Sequence, residues 1–138
     1  MSQTHFNFEI QSDLGNLPLV EEFIEESAKK LRLDRDTVNS LLIAVNEATN
    51  NAVVHANKSD PDKKVQISLS QQDNIITVSV TDEGEGFNPE EVPDPTLPEN
   101  ILKDHGRGIY IMRSCVGDIE YVFHPNGTEL KLHIKPCR

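Results

Sequence analysis

Three polar side chains, Glu47, Asn51 and His55, follow one another at intervals of four inside the run LIAVNEATNNAVVHA, residues 42–56, which opens as apolar helix and turns polar along its second half. On a helix, four residues advance about 40° beyond a full turn, so the three form one gently rotating row. A carboxylate one turn before a carboxamide brings a proton acceptor and a neutral oxygen ligand for a hard cation such as Mg²⁺ to one place, as a phosphate-handling site needs. The same row would also serve as an ordinary solvated helix surface, although asparagines are poor choices for a helix interior. His55 alone reads as a structural residue, not a catalyst.

Two glycine segments offer a second kind of chemistry. In T-D-E-G-E-G-F, Asp82 stands at the end of a strand pattern, and Gly84 and Gly86 free the backbone to pass close to a ligand or to make a tight turn. In H-G-R-G-I-Y-I-M, Gly106 and Gly108 open a helix pattern, where free N–H groups and the positive dipole end can hold phosphate, and Arg107 adds a charged donor. Neither completes G-x-G-x-x-G, because Pro89 and Ile111 stand at the third glycine position, so a dinucleotide-binding fingerprint is excluded. The sequence also lacks G-x-x-x-x-G-K-[ST], the H-R-D and D-F-G pair of the usual protein kinases, and H-E-x-x-H.

The elements that must position these residues follow from periodicity. Phe6, Phe8 and Ile10 alternate with polar residues as in a half-buried strand. From Asn16 as cap and Pro18 in the first turn, Val20, Phe23, Ile24, Ala28 and Leu31 mark the buried stripe of a helix over Leu17 to Arg32. Asp34 or Asp36 caps a second helix, with Leu41, Val45, Ala48 and Ala52 buried and an end near Asn57. Val65, Ile67 and Leu69, the turn Gln71-Gln72-Asp73-Asn74, and Ile76, Val78 and Val80 form a hairpin. Between Phe87 and His105, Pro89, Pro93, Pro95 and Pro98 preclude regular structure over much of the run, which reads as a long loop. Ile109, Met112 and Val116 fit a short helix. Ile119, Tyr121 and Phe123, the turn His124-Pro125-Asn126-Gly127, and Leu130, Leu132 and Ile134 make a last hairpin. This order implies an α+β fold, one mostly antiparallel sheet covered by helices on one face.

A chain of 138 residues suits one domain, and no linker or repeat divides it. With 13 Lys plus Arg against 23 Asp plus Glu, the formal charge of −10 repels phosphate backbones and argues against direct nucleic-acid binding. An anionic ligand needs a metal or local donors. The two cysteines, Cys115 and Cys137, have no zinc or disulfide spacing, which fits a reducing cytoplasm. No basic start followed by an apolar run opens the chain, and no window approaches the ~20 apolar residues that span a bilayer, so no membrane association is expected.

Taken in order, N-E-A-T-N-N-A-V-V-H-A on a helix, D-E-G-E-G-F after a strand, a proline-rich loop, G-R-G-I-Y-I-M on a helix and N-G-T-E-L at a hairpin form a specific set. It resembles the N, G1, G2 and G3 boxes of the GHKL ATPase superfamily, and most closely its small stand-alone branch, the bacterial anti-sigma-factor serine/threonine kinases. The likeness runs over nearly the whole chain and implies a two-layer α/β sandwich. It implies ATP and Mg²⁺ as cofactors, Glu47 as the general base for a substrate hydroxyl, and Asn51 as the Mg²⁺ ligand. Asp82 corresponds to the acceptor of the adenine amino group, which disfavours guanine because guanine presents a carbonyl there. Thr128 supports that contact. Gly84 and Gly86 lie beside the base and at the start of an ATP lid over about residues 87–105, and Gly106, Arg107 and Gly108 close over the phosphates. The family also implies a homodimer paired through the sheet and first-helix side, a sigma factor or similar regulator as partner, and a STAS-type antagonist protein as the phosphorylated substrate.

Two positions depart from the family pattern. Asp104 stands where some kinase members have a basic residue, leaving Lys103 or Arg107 to supply the charge, and Ala56 replaces a common glycine after His55. The expected activity is transfer of a phosphoryl group from Mg-ATP to a serine or threonine. The alternative is a nucleotide-dependent sequestering module with little transfer. A histidine kinase would need a helical dimerisation domain, which the about forty residues before the first box are too few to form.

Overall fold

The computed structural model describes residues 4–84 and 118–135. The expected short helix after Gly108 and the loop at 87–105 therefore lie outside the described residues.

The chain begins with β1 (Thr4–Gln11), passes through a 3-10 turn (Leu14–Asn16), and enters α1 (Leu17–Leu31) and α2 (Arg35–Asn50). A π-helical turn (Asn51–Ala56) continues α2, and β2 (Lys64–Gln72), β3 (Ile75–Thr81), β4 (Asp118–His124) and β5 (Gly127–Ile134) complete the sheet. The strand order is β1-β2-β3-β5-β4, with every described pairing antiparallel.

Strand alternation becomes rows of apolar side chains across the sheet. One row runs Phe6, Leu69, Val78, Leu132, Ile119, and the next runs Phe8, Ile67, Val80, Leu130, Tyr121. These residues join Val20 and Ile24 of α1 and Leu41, Ala44, Val45 and Ala48 of α2 in one core, so both helices cover the same face. Phe8 stacks on Phe23 with ring centroids 5.2 Å apart, fixing α1 over the first strand. The other face carries residues such as Glu9, Gln66 and Lys64, which are exposed.

Local chemistry sets the helix ends. Asp34 caps α2 by accepting from the Thr37 N–H at 3.1 Å, as expected. Asn16 does not cap α1, contrary to the sequence expectation. Its side chain donates to the Gln11 carbonyl at 3.2 Å, and Asp13 instead caps the preceding 3-10 turn by accepting from Gly15 N–H. The 3-10 turn leads straight into the helix with Asn16 already in helical geometry, so no extended residue is left to act as cap. α1 ends at Leu31, one residue before the expected end, and is capped by Arg32, whose φ of 58° is left-handed. The first hairpin turn is also tighter than read from sequence, with Gln72 and Ile75 paired and Asp73 taking the positive φ of 56°.

Leu69 is fully buried in the centre of the sheet at 0% exposure. Leu69→Ala is expected to lower the unfolding free energy by about 2–5 kcal/mol, read from urea denaturation.

Candidate functional site

Three of the expected site residues meet where β3 ends beside the start of β5. Asp82 N–H donates to the Thr128 carbonyl at 2.9 Å, continuing the strand pairing, while the Thr128 N–H returns to Asp82 Oδ1 at 3.1 Å. Gly84 N–H donates to the same oxygen at 3.0 Å. Oδ1 is thus held by two backbone donors, and among the described residues no donor reaches Oδ2. The half-buried carboxyl is pushed above the usual aspartate range, first by burial, against the opposing pull of the Gly84 and Thr128 N–H groups and of Lys63. The hydroxyl of Thr128, whose N–H makes one of these bonds, is buried and has no hydrogen-bond partner among the described residues. A carboxylate oxygen and a neighbouring residue's hydroxyl, both without partners among the described residues, fit a ligand that presents both a donor and a second polar group, as the edge of an adenine base does.

Two glycines make this corner possible for different reasons. A Cβ on Gly127 would sit 1.9 Å from the Asp82 carbonyl oxygen, so only glycine lets the β5 start lie against the Asp82 backbone. A Cβ on Gly84 would come within 2.6 Å of the Ala56 carbonyl oxygen, which seats the segment after Asp82 on the end of the second helix. Ala56, the departure from the family pattern, is part of that contact.

Glu47 and Asn51 are both half-buried on the second helix, one turn apart. Asn51 lies where the α-helix gives way to the π-helical turn, its N–H shared between the Glu47 and Ala48 carbonyls. Beyond it the N–H of Asn57 bonds five residues back to Ala52 at 2.9 Å, the wide spacing of a π-turn. His55 lies in this wider turn and is exposed, so it leaves the even α-helical row expected from spacing. Among the described residues, no group of three or more His, Cys, Asp or Glu side chains gathers to hold a metal. The donor set at hand for a divalent ion is the Asn51 carboxamide, which suits Mg²⁺ bound largely through substrate phosphates and water. Gly86, Lys103, Gly106, Arg107 and Gly108, and with them the 87–105 segment and Asp104, lie outside the described residues.

Sequence reasoning missed Asn57, which is 0% exposed. Its Nδ2 donates to Ser12 Oγ at 2.8 Å and to the Lys64 carbonyl at 3.1 Å, and its Oδ1 accepts from Glu83 N–H at 2.8 Å. Ser12, also buried, passes its own hydroxyl to the Lys63 carbonyl at 2.8 Å. Asn57 had read as a helix terminus ahead of a loop, and nothing in its neighbours' sequence marks it as buried. Gly127 was quoted within a turn, with no signal of the backbone it approaches.

The chain belongs to the histidine kinase-like ATPase domain family, whose pattern it matches over residues 10–134. It is 32% identical to the anti-sigma F factor of Bacillus velezensis over 102 residues, 70% of this chain and 68% of that protein. It is 30% identical to the serine-protein kinase RsbW of Bacillus subtilis over 107 residues, 73% of this chain and 67% of that protein. In structure it superposes on the RsbU and RsbW domains of Rv1364c from Mycobacterium tuberculosis with a TM-score of 0.73 at 15% identity, covering 98% of this chain and 33% of that one. The catalytic domain of histidine kinase ThkA superposes with a TM-score of 0.61 at 20% identity, covering 99% of this chain and 98% of that one. These two likenesses bear out the expected α/β sandwich.

Two outcomes test the corner. Gly127→Ala is expected to destabilise the fold by about 1–3 kcal/mol in urea denaturation, because the added methyl drives two backbones apart. For Asp82, a carboxyl raised in the folded state costs stability above that raised pKa, and the cost fades as pH falls towards the unfolded value of 3.8. Asp82→Asn, whose carboxamide oxygen can still accept both N–H groups, is therefore expected to melt no lower than the parent at pH 7. The difference between the two melting temperatures should shrink as acid neutralises the parent's carboxyl.

Proposed function

We propose that this protein is an ATP-binding, anti-sigma-factor-type serine/threonine kinase. In this reading it sequesters a sigma factor or similar regulator and phosphorylates a STAS-type antagonist protein in a partner-switching pathway. The observation that carries the nucleotide reading is the Asp82 carboxylate, with one oxygen held by the Gly84 and Thr128 N–H groups and, among the described residues, no donor on the other and no partner on the Thr128 hydroxyl. Family membership and the likeness to anti-sigma F factors and serine-protein kinases support the kinase reading.

The roles of the residues follow from their chemistry. Asp82 accepts from the exocyclic amino group of adenine and rejects guanine, which offers a carbonyl at that position. Asn51 supplies a carboxamide oxygen to Mg²⁺, and bound Mg-ATP supplies the phosphoryl group. Glu47 orients the serine or threonine hydroxyl and accepts its proton as the new O–P bond forms and the bond to the leaving ADP breaks. Since little covalent chemistry falls to the protein in such a transfer, positioning and charge neutralisation supply most of the rate. Lys103, Gly106, Arg107 and Gly108 take the phosphate side and Gly86 the base side, with the lid over about 87–105, on the strength of the family pattern. The working protein is a homodimer in the cytoplasm. Among the described residues no helix is long and apolar enough to cross a membrane.

Labelled Mg-ATP incubated with candidate antagonist proteins tests the reading. Glu47→Gln is expected to lower phosphoryl transfer by about 10²–10⁴-fold while ATP binding persists, and Asn51→Ala to lose transfer through loss of the metal. ATP binding without labelling of any antagonist, unchanged by Glu47→Gln, would leave a nucleotide-gated sequestering module instead.

A further inference from the structure

One buried polar side chain reaches the base corner from outside it and has no part in the roles assigned above. Asn57 ends the π-helical turn that follows Glu47 and Asn51, and its carboxamide is engaged on both sides. The orientation of that amide is unambiguous. The Lys64 carbonyl can only accept and the Glu83 N–H can only donate, so Nδ2 must face the first and Oδ1 the second.

The acceptor side is the consequential one. Glu83 N–H belongs to the peptide that begins with the Asp82 carbonyl, and that carbonyl lies against the α-carbon of Gly127. The Asp82–Glu83 peptide is therefore held at both ends, by Asn57 Oδ1 on its N–H and by Gly127 against its oxygen. A turn of this peptide would displace the next N–H, that of Gly84, from Asp82 Oδ1 and would re-aim the carboxylate. Asn57 is in turn anchored by Ser12 and Lys64, and it is continuous with the helix that carries Glu47 and Asn51.

We propose that Asn57 is a positioning residue for base recognition. Its carboxamide fixes the Asp82–Glu83 peptide and thereby aims the Asp82 carboxylate at the purine amino group, in a set position relative to the helix bearing Glu47 and Asn51. The proposal rests on the reading of Asp82 as the base acceptor. It makes selectivity for adenine over guanine depend on a residue that does not touch the nucleotide.

The test measures ATP and GTP dissociation constants side by side, well below each variant's melting temperature. Asn57→Ser shortens the side chain and withdraws the acceptor from Glu83. Its ATP affinity is expected to fall about five- to tenfold, the worth of a well-placed hydrogen bond, with much of the preference over GTP lost. Asn57→Asp keeps the acceptor but turns the donor side against the Lys64 carbonyl, so it is expected to melt lower than the parent yet retain most of that preference. A folded Asn57→Ser with a lowered melting temperature and an unchanged ATP-to-GTP ratio would overturn the proposal, as would selectivity that follows melting temperature across the two variants. Should neither variant fold, Ser12→Ala removes one anchor of the carboxamide and is expected to erode the same ratio about two- to threefold; an unchanged ratio there counts against the proposal. Asp82→Asn separates the two levels of inference. If it binds ATP with unaltered affinity and preference, the base-site reading fails and takes this proposal with it. If it loses both while Asn57→Ser keeps both, the base site stands and Asn57 is structural only.

Discussion

A buried carboxamide ties the molecule's functional corner together. Asn57 links the end of β1 through Ser12, the start of β2 through Lys64, and the segment after β3 through Glu83, the farthest of them 45 residues from Asn57 in sequence. A side chain in this situation must be satisfied on both sides, since a buried donor or acceptor without a partner costs about 1–3 kcal/mol. The three backbone segments cannot shift independently without breaking that arrangement. The helix with Glu47 and Asn51 and the strand end with Asp82 are thus referred to one common point.

The same corner shows what a half-buried carboxylate costs the fold. Asp82 could be fully hydrated at no expense, but it is half-buried, and two backbone N–H groups on Oδ1 only partly offset the lost solvation. The buried Thr128 hydroxyl, without a partner among the described residues, adds to this local deficit. Polar groups left short of partners make this corner poorer in stability than an apolar one would be.

The π-helical turn after Asn50 contributes in a different way. An α-helix continued to Ala56 would carry its last residues at 100° intervals, whereas the wide turn admits an extra residue and changes where the chain leaves the helix. The exit delivers Asn57 inward and His55 outward, and it sets the Ala56 carbonyl against Gly84. Ala56 and Gly84 are matched in size at this contact. A larger residue at position 84 has no room, while the alanine methyl is tolerated on the helix side.

Much of this was legible in the chain itself. The alternation of Val65, Ile67 and Leu69 against Ile76, Val78 and Val80, and the helical spacing of Leu41, Val45 and Ala48, depend only on which face each residue turns to the core, a local property of strands and helices. Asp34 was readable as a cap because capping uses donors three residues away; Asp82, Gly84 and Thr128 were singled out by their order along the chain, and the structure brings the three together at one corner. The cap at Asn16 was misread because a 3-10 turn upstream had already set the helix direction. The Glu83 N–H that Asn57 satisfies lies 26 residues away, and the glycine required at 127 answers to the backbone of Asp82, farther still along the chain. Spacing along a sequence records which face a residue occupies, but only the packed tertiary structure decides which distant backbone groups a side chain must satisfy or make room for.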